Sequence, residues 1–267
     1  MAITDQNGII AGARPPETLL KIGAAMEAAG VGHSYFYTAG RPGAGSAPTP
    51  GVNGAAVTGN AVAGQIPRTN PASGFAYLAR LSARASSVGT LLLCDRLWHN
   101  SGLSVTSTSA QGITPATIPA RDRDGTTSGE GVLAAIEWSA AGGAGTPTVT
   151  LTYTDQAGNT GNTGTFVGAT TPVAGTFEIF SLAAGDTGVR APTSFIQSAT
   201  RTSGTMHLIL FTIIASVGVS AANVESAVDS LTSGFPRIYN DSVPFLVWIP
   251  SATTATSLIG QYIETHG

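Results

Sequence analysis

Lysine is almost missing from this chain: Lys21 is the only one among 267 residues. Positive charge therefore rests on arginine. Charged residues make up 10% of the sequence and leave a formal net charge of -3, where soluble domains usually carry about 25% charged residues. So sparse a charge excludes the basic footprint of a nucleic-acid binder and the acidic tail of a solvating segment. Cysteine is equally scarce, and the single Cys94, set in the apolar run "GTLLLCDRLW", can close no internal disulfide. A buried, inert thiol is expected. Long hydrophobic runs are absent too. The longest, "HLILFTIIASVGV" from His207 to Val219, is shorter than the roughly 20 residues that a membrane helix needs. The opening "MAITDQNGII" has neither the positive region nor the apolar core of a secretion signal, so neither that export route nor a membrane span is expected. Histidines are scattered, with no H-x-x-x-H spacing to suggest a metal site.

What the chain does contain is glycine (34), proline (15) and a hydrophobic fraction of 42%. That fraction is too high for a disordered chain. With few charges left for the exterior, the surface must be built from Ser, Thr, Asn, Gln and Ala, which reads as surface meant to be covered. In "PPETLLKIGAAMEAAG" the prolines suit a first helical turn, Glu17 suits the positive end of the dipole, and Gly30 suits a stop. Leu19, Ile22 and Met26 recur at helical spacing. The expectation is an amphipathic helix over about 16 to 29, its apolar stripe offered to a partner or covering an end of its own domain. Residues 38 to 70, dense in Gly, Pro and Ala, read as an extended arm.

Beyond "NPASG" the pattern turns to short strands: "FAYLARLSARA", "TLLLCDRLW", "VLAAIEWSA", "TVTLTYT", "TFEIFSL", "SFIQSAT" and "MHLILFTII". Turn-forming clusters separate them. In "TVTLTYT" alternation puts Val149, Leu151 and Tyr153 on one face and threonines on the other. Trp98, Trp138, Tyr153 and Phe180 are expected in the core. The predicted fold is mainly β, an antiparallel sandwich of jelly-roll or immunoglobulin type, with the N-terminal helix and arm. The segments are 1–72 (helix and arm), 73–216 (sandwich) and 217–267 (a C-terminal extension). In the last, "NVESAVDSL" suggests a short helix and "VPFLVWI" a strand-like piece, which the prolines around it argue against pairing as a continuous central strand.

No motif carries convincing chemistry. "LTYTDQAGNTGNTGTF" offers Asp155, Asn159 and Asn162 among glycines, but a calcium loop needs further carboxylates and none follows until Glu178. A hairpin turn explains the same residues. "RDRDG" holds Asp122 and Asp124 near Glu130, yet each aspartate has competing arginines, so a solvated loop or subunit ion pairs is the expected role. Cys94 and Asp95 alternate faces on a strand, which weighs against a nucleophile built with His99. Sequence alone cannot bring two of Asp95, Asp122, Glu137 or Glu178 together as a glycan hydrolase requires. No catalytic residue, metal ligand or cofactor site is assigned.

Three stretches, "GTLLLCDRLWHNSGL", "TVTLTYTDQAGNTGNTGTF" and "LAAGDTGVRAPTSFIQSAT", together resemble a group of tailed-bacteriophage virion proteins, over residues 73 to 215. The resemblance implies a structural, non-enzymatic virion component, with a capsid decoration or cement protein favoured over a tail- or fibre-associated adhesion protein or a glycan-acting enzyme. It also implies the major capsid protein or other virion proteins as partners and a home in the virion, assembled in the host cytoplasm. A dimer or trimer follows from the low charge and the arm.

Overall fold

The computed structural model describes residue 3, residues 5–59 and residues 62–267. One helix, α1 (Gln6–Gly12), precedes strands β1 (Glu17–Ala24), β2 (Gly32–Ser34), β3 (Gly40–Arg41), β4 (Ala55–Ala56), β5 (Ala76–Ala85), β6 (Gly89–His99), β7 (Gln111–Gly112) and β8 (Leu133–Ala140). There follow β9 (Thr148–Asp155), β10 (Asn162–Val167), β11 (Thr176–Ile179), β12 (Val189–Gln197), β13 (Thr205–Val219), β14 (Ser226–Asp229), β15 (Arg237–Ile238), β16 (Pro244–Pro250) and β17 (Thr256–His266). The chain is mainly β, and its strands pair antiparallel, as expected.

The centre of the molecule is not a sandwich. Strands β13, β8, β11, β2, β16 and β6 pair in that order, and β6 pairs again with β13, so the sheet closes into a barrel. Closure removes both open edges. Outside it lie a sheet ordered β14-β5-β17-β1-β3, with β15 also on β5, and a smaller sheet ordered β10-β9-β12-β7. In the barrel sheet, strands from 1–72 and 217–267 pair with strands from 73–216; in the first outer sheet β17 joins β5 to β1, so all three segments share both larger sheets.

Alternation along the barrel strands sorts the cores. Leu92 and Cys94 of β6, Phe177 of β11, Ile209 and Phe211 of β13, and Phe245 of β16 form the inner cluster. Leu91 and Leu93 turn outward against the first sheet, and Ala134, Ile136 and Leu208 turn outward against the second. On β9, Val149, Leu151 and Tyr153 are buried as alternation requires. Trp98, Trp138 and Phe180 are likewise buried.

Among these inner aromatics sits an ion pair. Arg96 Nη2 donates to both oxygens of Glu137 at 2.7 and 2.8 Å, and Tyr37 Oη donates to Oε2 at 2.9 Å. Both charged side chains are 0% exposed. The guanidinium carbon stands 4.0 Å from the Phe36 ring centre and 4.8 Å from that of Phe245, which adds cation–π attraction. Burial opposes the charge on Glu137, but Arg96, with hydrogen bonds from Arg96, Ser34 and Tyr37, outweighs it and holds the carboxyl below its ordinary range.

Buried histidines give the fold a pH dependence. Burial lowers His33 to about 4 despite the opposing pull of Glu137. Burial, with Arg96 and His207, lowers His99 to about 4, again against Glu137. Both are neutral in the folded protein, whereas the unfolded chain takes up protons from about 6.5 downward. Stability from this source is therefore complete above about pH 6.5 and is lost as pH falls toward 4, at up to about 1.4 kcal/mol per unit for His33 and less for the half-buried His99. Urea melts at pH 7 and pH 4.5 should differ by roughly 2 to 4 kcal/mol. Equal midpoints at the two values would contradict neutral burial of these rings.

The structure departs from several sequence expectations. Residues 16 to 29 are not a helix: β1 occupies Glu17–Ala24, and the helix of the N-terminal region is Gln6–Gly12. The helical reading failed because Lys21 is turned inward, 1% exposed, donating to the carbonyls of Thr38 and Pro42 at 3.0 and 2.7 Å. A lysine on the buried face hides a period of two. The described residues of the arm, 38–59 and 62–70, lie against the domain, with Val57, Ile66 and Arg68 buried and Ile66 N donating to Pro244 O. "NVESAVDSL" contains β14, not a helix. β16 runs between β2 and β6, a central place open to it because Pro244 and Pro250 stand at its ends.

Candidate interaction surface

The three residues at helical spacing separate in space. Leu19 (0% exposed) and Met26 (5%) belong to the core between the barrel and the first sheet, while Ile22 (56%) faces outward. Strand geometry explains the split, because Leu19 and Ile22 are an odd number of residues apart. Ile22 joins two neighbours that spacing did not single out, Leu20 at 43% and Ile259 at 42% exposure. Their signal was alternation in "TLLKI" and "TSLIGQYI", weakened in the second by Gly260.

Register builds the face row by row. Leu20 on β1 stands opposite Ile259 on β17, Ile259 opposite Arg84 on β5, and Leu20 opposite Arg41 on β3. An apolar centre is thus bracketed by guanidinium groups. The next row is polar and uncharged: Thr18 and Gln261, with the buried Ser82 beside them. Arg41 holds Glu17 at 3.2 Å and Arg80 holds Glu225 at 3.4 Å, both exposed pairs worth little to stability. No second layer of this chain covers the face among the described residues, and the glycine at 260 lets β17 approach β5, since a Cβ there would stand 2.0 Å from Ser82 O. Partly apolar, rimmed by arginine and hollowed between Ile259, Gln261 and Arg84, it has the makings of a protein contact.

The other candidates settle into structural roles. Asp155 accepts from Asn159 N and Nδ2, each at 2.8 Å, and β9 and β10 pair from Tyr153↔Asn162 onward. Positive φ at Gly158 (90°) and Gly161 (83°) completes a hairpin turn. Gly158→Val should cost about 1 to 3 kcal/mol in urea melts, and EDTA should leave the melting temperature unchanged. A chelator-induced fall would make Asp155 a metal ligand. The "RDRDG" stretch is not simply solvated. Arg121 and Asp122 are buried at 4% and 0% exposure; Arg123 and Asp124 face solvent. Arg121 clasps Asp95 through Nε and Nη2 at 3.0 and 3.3 Å. Asp122 accepts from Thr126, Ser128, Gly129 and Glu130; burial opposes its charge, but these hydrogen bonds prevail and lower its pKa.

Cys94 lies inside the barrel, where burial pushes its thiol far up. Glu178 accepts from Trp138 Nε1 at 2.9 Å and Ala169 N at 2.6 Å. Each carboxylate weighed for glycan chemistry thus has its own structural partner. No helix among the described residues is long and apolar enough to cross a membrane.

No protein-family model matches the sequence, and no curated protein matches it. Among solved structures the chain has a likeness to the infectious bursal disease virus VP2 subviral particle, at 9% identity, covering 96% of this chain and 81% of that one. The TM-score of 0.18 is too low for that likeness to carry an argument about fold or function.

Proposed function

We propose that this chain is a structural component of a bacteriophage virion, without enzymatic activity, that binds the capsid shell as a decoration or cement protein. The observation that carries the reading is the uncovered sheet face: Leu20, Ile22 and Ile259 exposed at its centre and arginines at its margins. Such a face, an apolar centre with arginines around it, suits broad, repeated contact with another protein. The low overall charge and the sequence resemblance over 73 to 215 support the same reading. The major capsid protein is the partner this assigns, and self-association about a two-fold or three-fold axis accompanies binding.

Co-sedimentation of the purified protein with undecorated shells tests it. Leu20→Asp and Ile259→Asp, at exposed positions that leave the fold intact, should each weaken binding about tenfold or more, as loss of a central contact of about 2 kcal/mol implies. Wild-type protein that stays in the supernatant, or variants that bind as well as wild type, would sink the proposal.

A further inference from the structure

A cavity of about 390 Å³ opens beside the barrel wall at β13, in a different place from the sheet face above. Its floor and sides include Leu133, Ile213, Ile214 and Pro236. Ile213 is 43% exposed although it lies in mid-strand of the barrel, so the apolar floor is open. Two carboxylates also line the cavity, and both are saturated. Asp95 accepts from Arg121, Ser242 and Val243 N, and Asp122 accepts from its own loop.

The donors are not saturated. Arg121 is 4% exposed, and its Nη1 has no hydrogen-bond partner among the described residues. Arg237, also in the lining, rests its guanidinium carbon 3.8 Å from the Phe75 ring centre and 4.6 Å from that of Tyr239. No ion pair or side-chain hydrogen bond of Arg237 occurs among the described residues. Stacking holds the group in place and leaves its five N–H donors for a ligand. A buried donor without an acceptor is costly, and a guanidinium matches a carboxylate in the plane of both groups.

We infer that this cavity binds a monocarboxylate with a short aliphatic body, the chemistry shared by a small fatty acid and by the C-terminal residue of a peptide ending in leucine. The carboxylate meets Arg237, and the aliphatic part covers Ile213 and Ile214. The volume lies at the lower end of ordinary ligand pockets, which excludes long acyl chains.

Amide chemical-shift titration of the full chain tests this with hexanoate, hexanol, and an acetylated peptide ending in leucine as free acid or as amide. Hexanoate or the free-acid peptide should move the Ile213 and Ile214 signals, with hexanol and the amide at least about tenfold weaker, as loss of one charge-assisted pair implies. Response to one acid and not the other assigns the source. Arg237→Gln should weaken binding about tenfold, and Ile213→Asp should abolish it with the melting temperature retained. No shift with either acid at millimolar concentration, hexanol binding as well as hexanoate, or Arg237→Gln binding as wild type would overturn the assignment.

Discussion

A chain lacking residues 1 to 70 is expected to be unfolded. The deletion takes β2 from between β11 and β16 and opens the barrel along two edges. It also takes β1 and β3, which bares the edge of β17. With them go Leu19, Met26, Tyr35, Phe36, Val57 and Ile66, all buried at 5% exposure or less. At about 1.5 to 3 kcal/mol for each large side chain, the loss reaches or exceeds the 5 to 15 kcal/mol that holds a typical domain together. Near-ultraviolet circular dichroism and a thermal melt of the truncated chain should show neither fixed aromatic packing nor a cooperative transition. A native-like spectrum with a sharp melt would mean that the first seventy residues are an appendage, and that shell binding could be tested without them.

Glu137→Ala carries the next largest effect, about 3 to 5 kcal/mol lost in urea melts at pH 7, because it leaves Arg96 charged and unpaired inside the barrel. Replacing both partners, Arg96→Met with Glu137→Leu, should recover much of that loss, since Phe36 and Phe245 flank the guanidinium, although Tyr37 then loses its acceptor. The contrast between single and double variants separates an ion pair from simple loss of packing. A single variant that costs under 1 kcal/mol, or a double variant no better than the single, would show that the charges are not confined as described.

Much of the β architecture was legible because one face of a strand is apolar. β9 is the clearest example, with Val149, Leu151 and Tyr153 inward and threonines outward. β6 and β13 were legible as apolar runs, and their burial on both sides, between barrel interior and outer sheets, explains why they alternate poorly. Closure of the barrel was not legible, because it depends on pairings between residues far apart in the chain. Phe177 opposite Gly32 and Trp248 opposite His33 are examples. β1 was misread because Leu19, Ile22 and Met26 fall at helical spacing while the inward residue between them is a lysine. β17 was missed for a related reason: Gly260 and Glu264 occupy buried positions where an apolar residue would mark a strand. The interaction face suffered the same fate, since only Ile22 of its apolar centre stood out, and Leu20 and Ile259 meet across strands about 240 residues apart in sequence.

The proposed shell-binding role is tested most directly by a cryo-electron microscopy reconstruction of the phage particle proposed to carry this chain. Density for the barrel and its two flanking sheets is expected at regular positions on the capsid, with the face bearing Leu20, Ile22 and Ile259 turned toward the shell. A particle without that density, or one in which this face points to solvent while another surface meets the capsid, would contradict it.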